Sequence, residues 1–253
     1  MVPAMNKIEA PGKVASTWTG PAREQAVQRM FTAIAKFYDL NNSLLSFGLH
    51  HSWKRKAISY IPNSPGIRAL DLGAGTCDLA ILVDRHLHYT SQIIAADLNL
   101  AMLRVGQDKV RSQNLATRIT CLQMNAEHLT FPQATLDTVT AGFCIRNVGN
   151  LPQALSEICR VLRPGGRFVC LEFSRPVSAG LRSLYDWYSF HLLPWIGTKV
   201  ARDGTGVYEY LPASIRNFPD QKRLAQLLKE AGFKTVDYHN LTGGIVAIHV
   251  AVK

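Results

Sequence analysis

The sequence predicts one α/β domain built on a doubly wound, mostly parallel sheet, and two of its patterns carry that prediction. From residue 67 to residue 173, strand patterns alternate with helical patterns, as expected for parallel strands joined by crossover helices. The first strand pattern, residues 67–72, leads through the glycine turn Gly73-Ala74-Gly75 into helix-forming residues. A buried strand that turns on glycines into a helix is typical of a nucleotide-type binding site.

Ahead of this core the chain predicts a helical extension. Residues 1–20 place lysine and glutamate among small residues and prolines, so they do not look like a signal peptide, and we expect a mobile arm. Residues 21–38 carry apolar side chains at helical spacing and end in a polar turn at residues 38–43. A second helix is expected at residues 50–61. We expect residues 21–253 to form the domain.

The elements of the core follow from the spacing of their apolar residues. Helices show the period of an amphipathic helix, and strands show short runs rich in apolar and β-branched residues. In chain order we expect a helix at 76–87, a strand at 91–97, a helix at 100–112, strands at 118–124 and 136–143, a helix at 152–162, a turn at 163–166 and a strand at 167–173.

Residues 174–212 interrupt this alternation. The segment is too long for an ordinary crossover and is rich in aromatic residues and histidine, so we expect an inserted helical cap over the carboxyl edge of the sheet. A helix at residues 218–231 and two strands, at 233–238 and 245–252, are expected to close the domain.

The composition sets limits on location and partners. The formal net charge of +10 is spread along the chain, which favours contact with an anionic surface but is explained equally well by solubility. The five cysteines form no C-x-x-C pair and lie mostly in apolar stretches, which fits a reducing cytoplasm. No apolar run is long enough to span a bilayer, so the protein could touch a membrane surface but is not expected to cross it.

The glycine turn favours an adenosine-bearing cofactor other than NAD. Asp78 occupies the position where the third glycine of a dinucleotide fingerprint would lie. The next strand pattern ends in Asp97, and an acid at that place hydrogen-bonds ribose hydroxyls in such folds. A surface turn without function would explain Gly73 and Gly75, but not the order of strand, turn, helix, strand and acid.

Ligands in open α/β sheets bind beyond the carboxyl ends of the strands, so two further strand ends are candidates. Asn125 and Ala126 follow the third strand, where Asn125 either holds adenine or forms a turn. Arg146 follows the fourth strand, where it is either catalytic or a member of a structural ion pair. Enzymes that methylate exocyclic base amines usually carry an Asn- or Asp-Pro-Pro-aromatic motif here. That motif is absent, so no nucleic-acid partner is expected.

Short blocks of sequence along the chain also form a recognisable set. They are residues 37–42 and 48–55 near the N-terminus, residues 146–148, 160–167 and 171–174 in the centre, and residues 185–190, 210–211, 214–216 and 241–244 near the C-terminus. Together they resemble the ubiquinone/menaquinone biosynthesis C-methyltransferase family, a branch of the class I S-adenosylmethionine-dependent methyltransferases. The resemblance runs from about Met30 to the C-terminus and implies a Rossmann-like fold, S-adenosylmethionine as cofactor and methyl transfer to carbon.

The resemblance also implies which residues contact the cofactor. They are Thr76, Asp97, the Asn125-Ala126 pair and Gly142, beside Gly73 and Gly75. The chain departs from the family at two of these places. Cys77 replaces the last glycine of the usual turn, which could reduce cofactor affinity if that backbone needs a positive φ. Gly142 stands where some members have a serine, so any contact there must come from the backbone.

The implied substrate is a prenylated quinol, because a ring carbon becomes nucleophilic only in the reduced ring once a hydroxyl loses its proton. A phenol has a pKa near ~10, so a nearby cation must favour the phenolate, and we expect Arg146, helped by Asn147, to act in this way. No metal is expected. The further residues expected in the substrate pocket are Tyr38, Asp39, His50, Tyr185, Tyr188 and His191.

These inferences predict C-methylation of demethylmenaquinol, of the 2-methoxy-6-polyprenyl-1,4-benzoquinol precursor of ubiquinone, or of both. One alternative is a methyltransferase of the same fold that acts on another lipid or phenol. The other is a non-catalytic module that binds S-adenosylmethionine and a lipid or a partner chain, for which Cys77 is the motivation. The expected location is the cytoplasm, with contact at the inner membrane surface as an option, and homo-oligomer formation is left open.

Overall fold

The computed structural model describes residues 20–87, 92–192 and 206–253. Within them lies a seven-stranded sheet with the strand order β3-β2-β1-β4-β5-β7-β6. The strands are β1 Arg68–Leu72, β2 Gln92–Asp97, β3 Ile119–Gln123, β4 Leu136–Gly142, β5 Leu162–Phe173, β6 Thr235–Leu241 and β7 Val246–Val252. The first five pair in parallel, and β7 pairs antiparallel with both β5 and β6.

Strand β1 lies inside the sheet, between β2 and β4. Leu70 pairs with Ile94 of β2 on one side and with Val139 of β4 on the other. The chain runs outward from β1 through β2 to β3 and then returns to β4 on the opposite side of β1. The strand order therefore reverses between β1 and β4, and this switch point is where a doubly wound sheet binds its ligand.

Helices cover both faces of the sheet and bury a separate apolar cluster on each. The helices are α1 Gly20–Ile34, α2 Tyr38–Leu45, α3 Leu49–Ile58, α4 Asp78–Leu87, α5 Leu100–Ser112, α6 Leu151–Val161, α7 Ala179–Trp187, α8 Val207–Asn217 and α9 Gln221–Glu230. One cluster joins the apolar sides of α3, α4 and α5 to the sheet, and the other joins those of α6 and α9. The predicted doubly wound, mostly parallel fold is confirmed.

The N-terminal extension differs from its prediction in two respects. The helix expected at residues 21–38 ends as α1 at Ile34, and a 3-10 turn, Ala35–Phe37, follows. The polar turn expected at residues 38–43 is wrong, because this stretch forms helix α2. The hydroxyls of Ser43 and Ser46 donate to backbone carbonyls four residues earlier, so these turn-forming side chains bond within the helix instead of ending it.

Helix α1 is fixed to the carboxyl edge of the sheet at the start of α5. Asn99 caps α5 by accepting a hydrogen bond from the Met102 amide, and its amide group donates to Gln28 and Thr32 of α1. On its other side α1 packs against Tyr210 of α8, whose side chain is buried. The extension therefore forms part of the wall around the switch point.

The turn expected at residues 163–166 lies inside strand β5. The register between β4 and β5 shifts between Leu136 and Thr138, and the extra residues of β5 bulge out. Gly165 takes φ +78°, and its amide donates to the carbonyl of Lys253. The bulge is therefore held by the last residue of the chain.

The cap expected at residues 174–212 is partly described. It contains α7, a π-helical turn, Tyr188–Leu192, and the start of α8, which continues beyond residue 212. Asp186 of α7 and Arg216 of α8 form an ion pair of 2.7 Å that joins these helices. Residues 193–205 of the cap, and residues 1–19 of the expected arm, lie outside the described residues. In the described ranges, no helix combines the length and apolarity needed to cross a bilayer.

Candidate active site

Two adjoining cavities open at the carboxyl edge of the sheet, at the switch point between β1 and β4. The larger has a volume of about 430 Å³ and lies under α2, α3 and α7. The smaller, of about 110 Å³, lies beside the ends of β2 and β3. Six residues line both cavities and form the boundary between them: Phe31, Tyr38, Gly73, Gly75, Gly142 and Phe143.

The glycine turn after β1 has a backbone that most residues avoid. Gly73 takes φ +64° and Gly75 takes φ +54°, and a Cβ at Gly73 would overlap the side chain of Cys144. Cys77 takes φ +64° in the same turn, so the backbone does need a positive φ at the position where the chain departs from the family. A non-glycine residue in this region costs roughly 1–2 kcal/mol.

The side chain of Cys77 is buried against helix α5. A Cβ at Gly106 would overlap Cys77 Sγ and would lie 3.0 Å from the Gly75 carbonyl oxygen. Gly106 therefore leaves the space that the cysteine fills. This close contact sets the distance between the glycine turn and α5.

The smaller cavity collects the polar groups expected to bind a cofactor. Asp97 accepts hydrogen bonds from the amides of Gly75, at 2.8 Å, and Asn99, at 2.7 Å. Burial raises the pKa of Asp97, and these two hydrogen bonds oppose that rise. Asn125 and Ala126 line the same cavity, and Asn125 also accepts a hydrogen bond from the Glu127 amide. Asn125 is thus a turn former placed in the cavity wall.

Apolar side chains complete the smaller cavity. Met102 and Met124 line it beside Asp97, and a Cβ on Gly75 would lie 3.2 Å from Met102 Cε. The carboxylate of Asp97 can accept hydrogen bonds from ribose hydroxyls, and the apolar walls can contact a base. Together with the glycine backbone, these groups fit a nucleoside. Across the described ranges, no group of three or more His, Cys, Asp or Glu residues could hold a metal ion.

An ion network holds α2 on the glycine turn. Thr76 donates to Asp39 at 2.6 Å, and Lys109 Nζ lies 2.5 Å from Asp39 and 2.6 Å from Asp78. Lys54 reaches the other oxygen of Asp78 at 2.8 Å. Burial alone would raise the pKa of Asp78, but Lys54 and Lys109 lower it to about 2. Asp39 belongs to this network and is not among the residues that line the larger cavity.

Arg146 lies in the wall of the larger cavity as a buried cation. Its Nη1 donates to Glu172 Oε1 at 2.9 Å and to the Phe143 carbonyl, and its guanidinium lies 5.3 Å from the centre of the Phe173 ring. The two side chains of the ion pair are 6% and 1% exposed. Arg146 is therefore a member of an ion pair and also lines the cavity, and its catalytic role stays a prediction.

Asn147 and Arg146 line different cavities. Asn147 lines the smaller cavity, and its Oδ1 accepts a hydrogen bond of 2.6 Å from the hydroxyl of Tyr210. Arg23 of α1 donates both to Tyr210 and to the backbone carbonyl of Arg146. These contacts tie α1 and α8 to the loop after β4.

Two more ionisable groups line the larger cavity. His50 is buried, and burial, Lys54 and His51 lower its pKa to about 4, so it is neutral at neutral pH. Ser43 donates to the Asp39 carbonyl and therefore accepts from His50 Nε2 at 3.1 Å, which leaves Nδ1 without its proton. Burial raises the pKa of Asp71 to about 7. Among the described residues, His50 Nδ1 and Asp71 Oδ2 have no hydrogen-bond partner.

Aromatic side chains form the outer wall of the larger cavity. Tyr185 and Tyr188 line it, and burial raises the pKa of Tyr185 to about 12, so its hydroxyl is protonated. Tyr38 lines both cavities. His191 does not line either cavity, because it stacks on Trp187 and is exposed. The structure thus brings together Tyr38, His50, Tyr185 and Tyr188, and leaves Asp39 and His191 outside the cavity.

Several residues of this site were not predicted from the sequence. Asp71 and Glu172 are acids with an apolar residue on either side in their strands, and that pattern could have indicated them. Lys54, Lys109 and Tyr210 lie on helices far apart in the chain, and their spacing gives no comparable signal.

Comparison with known proteins identifies relatives along nearly the whole chain. The profile described as the ubiE/COQ5 methyltransferase family matches residues 20–253. A ubiquinone/menaquinone biosynthesis C-methyltransferase UbiE of Vibrio vulnificus (strain YJ016) is 45% identical over 239 residues, which cover 93% of this chain and 92% of the relative. A protein of the same name from Legionella pneumophila (strain Corby) is 44% identical over 231 residues, covering 91% and 92%.

Solved structures agree with the fold. A crystal structure of a SAM-dependent methyltransferase from Thermotoga maritima aligns with a TM-score of 0.62 and covers 89% of this chain and 99% of that chain. The two sequences are 16% identical, so this likeness shows the fold alone. It supports the expected Rossmann-like architecture of class I methyltransferases.

The contact between α5 and the glycine turn can be tested by stability measurements. We predict that Gly106→Ala lowers the free energy of unfolding by about 1–3 kcal/mol, because the new Cβ overlaps Cys77 Sγ. Urea denaturation of the purified protein measures this change. Combining Gly106→Ala with Cys77→Gly should recover part of the loss.

The matched control is Gly180→Ala in α7. Nothing lies within 4 Å of the added Cβ there, so we expect no loss and a gain of at most about 1 kcal/mol. Equal stability of the two alanine variants would contradict the packing of the turn against α5.

Proposed function

The chain belongs to the ubiE/COQ5 methyltransferase family, and from that premise we propose that it methylates a ring carbon of a prenylated quinol in menaquinone or ubiquinone biosynthesis. The resemblance inferred from the sequence blocks is thereby confirmed. The cofactor is S-adenosylmethionine. One observation carries the choice of substrate: the larger cavity is walled by aromatic and aliphatic side chains, contains the buried cation Arg146, and adjoins the glycine turn.

The residues present fit the cofactor. Asp97, Asn125 and Ala126 would hold the adenosine in the smaller cavity, and the backbone of Gly73 and Gly75 would hold the part that passes into the larger one. Gly142 would contribute its backbone at the same boundary. When bound, S-adenosylmethionine supplies a methyl group on a sulfonium. Thr76, whose hydroxyl is bonded to Asp39, would act chiefly by fixing the turn.

Arg146 has the role of favouring the phenolate. Transfer to carbon requires a reduced ring that has lost a hydroxyl proton, and a positive charge nearby lowers the pKa of that hydroxyl. Glu172 holds the guanidinium in place, and burial strengthens the interaction of a cation with a phenolate because little water screens it. Asn147 supports this arrangement through Tyr210 and the loop after β4.

Two groups in the cavity wall can accept the proton that the hydroxyl gives up. His50 is neutral with an unprotonated Nδ1, and Asp71 has a pKa of about 7, which is close to the ideal for a base at neutral pH. The remaining acceleration comes from positioning, because holding the reacting atoms in line can contribute on the order of 7 kcal/mol. Tyr38, Tyr185 and Tyr188 would position the ring and exclude water.

A direct assay tests the function. We predict that the purified protein, given S-adenosylmethionine and chemically reduced demethylmenaquinone, adds the mass of one CH2 group to the lipid. The same lipid without reductant should remain unmethylated, because the quinone ring is not nucleophilic. A parallel reaction with the reduced 2-methoxy-6-polyprenyl-1,4-benzoquinone determines which of the two rings is used.

Three outcomes separate the alternatives. Methylation of either quinol supports the proposal. Methylation only of a different phenol or lipid would favour another substrate class within the same fold. Binding of S-adenosylhomocysteine without turnover on any quinol would favour a non-catalytic module.

The role of Arg146 gives a second prediction. We expect Arg146→Ala to lower turnover roughly 100-fold or more, since a buried charge that stabilises an anion contributes on this scale, while the Kd for S-adenosylhomocysteine changes only a few-fold. Titration calorimetry measures the Kd, and the quinol assay measures turnover. Loss of cofactor affinity in place of turnover would contradict the assignment.

Because Arg146→Ala leaves the Glu172 carboxylate buried without its partner, the double variant Arg146→Ala with Glu172→Gln is the necessary control. It removes both charges and should fold at least as well as the single variant. Turnover restored in the double variant would mean that the single variant fails through its fold and not through its chemistry.

We further propose that the mouth of the larger cavity rests on the membrane that contains the quinol. Phe47, Leu49, Leu184 and Trp187 line the cavity and yet are 79%, 43%, 62% and 56% exposed; we call them the mouth patch. Large apolar side chains exposed at the entrance to an apolar cavity suit a lipid surface. The net charge of +10 would add attraction to anionic headgroups at the cytoplasmic face of the inner membrane.

The mouth patch gives a third prediction. We expect Phe47→Asp to weaken binding to vesicles that contain phosphatidylglycerol about 10-fold or more, because it replaces a large apolar contact with a negative charge. Co-sedimentation with vesicles measures the binding. The control is Leu100→Asp, which places the same charge on a 43% exposed leucine that lines neither cavity. Equal loss in both variants would indicate a general effect of charge.

A further inference from the structure

A pair of thiols lies directly behind the glycine turn. Cys77 Sγ and Cys121 Sγ are 3.8 Å apart, although the turn and strand β3 are far apart in the sequence. Cys77 is buried, and Cys121 is partly exposed. Both residues lie outside the chemistry proposed for the methyl transfer, so their contact requires its own explanation.

We infer that Cys77 and Cys121 are a modification site at which a hydroperoxide forms a disulfide that weakens cofactor binding. Formation of the disulfide does not depend on the quinol chemistry. Its expected effect on the affinity for the cofactor does rest on the proposed function. The position of Cys77 in the turn, one residue after Thr76 and two after Gly75, connects the redox state of the pair to the cofactor site.

The chemistry requires one hydroperoxide for each disulfide. The Cys121 thiolate attacks one peroxide oxygen and the O–O bond breaks. With hydrogen peroxide the leaving hydroxide takes up the proton that Cys121 lost on ionising and departs as water, which leaves a sulfenic acid on Cys121. Cys77 Sγ then attacks the Cys121 sulfur, the S–O bond breaks, and the displaced hydroxide takes up the Cys77 proton as a second water. Two thiols are oxidised by two electrons in total, and the peroxide is reduced.

The surroundings give the two thiols different roles. Cys121 is the thiol that an oxidant in solution can reach, since Cys77 is fully covered. The hydrogen bond from Cys77 and the positive charge of Arg111 lower the pKa of Cys121, whereas the contact with Cys121 and burial raise the pKa of Cys77. Cys121 is therefore the attacking residue and Cys77 the resolving one.

We expect closure of the disulfide to move the glycine turn. The sulfurs have to approach from 3.8 Å to about 2.05 Å, and we expect this approach to draw Cys77 Sγ out of the space that Gly106 provides for it. The turn is also held by the hydrogen bond from the Gly75 amide to Asp97 and by that from Thr76 to Asp39. A shift of Cys77 toward β3 therefore disturbs the contacts that present Asp97 and the turn backbone to a cofactor.

The test uses the full-length protein treated with hydrogen peroxide, then alkylated and digested without reductant. We expect mass spectrometry to detect a cross-linked peptide that joins Cys77 to Cys121 and has lost two hydrogens. Calorimetry of the oxidised protein should show affinity for S-adenosylhomocysteine reduced at least ~10-fold, and dithiothreitol should restore it.

Two variants complete the test. Cys121→Ala keeps Cys77 but cannot form the disulfide, so its affinity should not respond to peroxide; Cys159→Ala removes a buried cysteine outside the pair and should respond like the unmodified protein. The inference is overturned if no cross-linked peptide forms, or if it forms without a change in affinity. Failure of the reduced protein to bind S-adenosylhomocysteine would instead count against the proposed function, because the cross-link is detected independently.

Discussion

The site depends on the close approach of one loop to one helix. The glycine turn after β1 can lie against α5 because Gly106 has no side chain there, and it can curve back under α2 because Gly73, Gly75 and Cys77 all take positive φ. This position brings the Gly75 amide to Asp97 and the hydroxyl of Thr76 to Asp39. The two cavities meet at this turn, so any displacement of it changes both.

Charged groups surround the glycine turn. Lys54 and Lys109 hold Asp39 and Asp78 in a network that joins four helices, α2, α3, α4 and α5. Arg146 stays buried because Glu172 compensates its charge, and the larger cavity around it is lined mostly by apolar side chains, with His50 and Asp71 among its polar groups. A buried cation next to a cavity that contains Asp97 is the combination on which the proposed methyl transfer to a phenolate depends.

The features that could be predicted from the sequence are those that depend on residues close together in the chain. Strands β1 to β5, the glycine turn and Asp97 follow from apolar periodicity and from one acid at a strand end. Helix α2 was missed because Asn41, Asn42 and Ser43 favour turns, while the contacts that hold it come from Thr76 and Lys109. The separation of Asn147 from Arg146 likewise depends on Tyr210, a residue that no local pattern connects to them.

A crystal structure with S-adenosylhomocysteine would test the central claim most directly. We predict that the adenosine occupies the smaller cavity with its ribose hydroxyls on Asp97. The amino-acid end of the cofactor should pass the boundary at Gly73 and Gly142 into the larger cavity, which Arg146 lines. Adenosine bound in the larger cavity, or away from Asp97, would contradict this prediction.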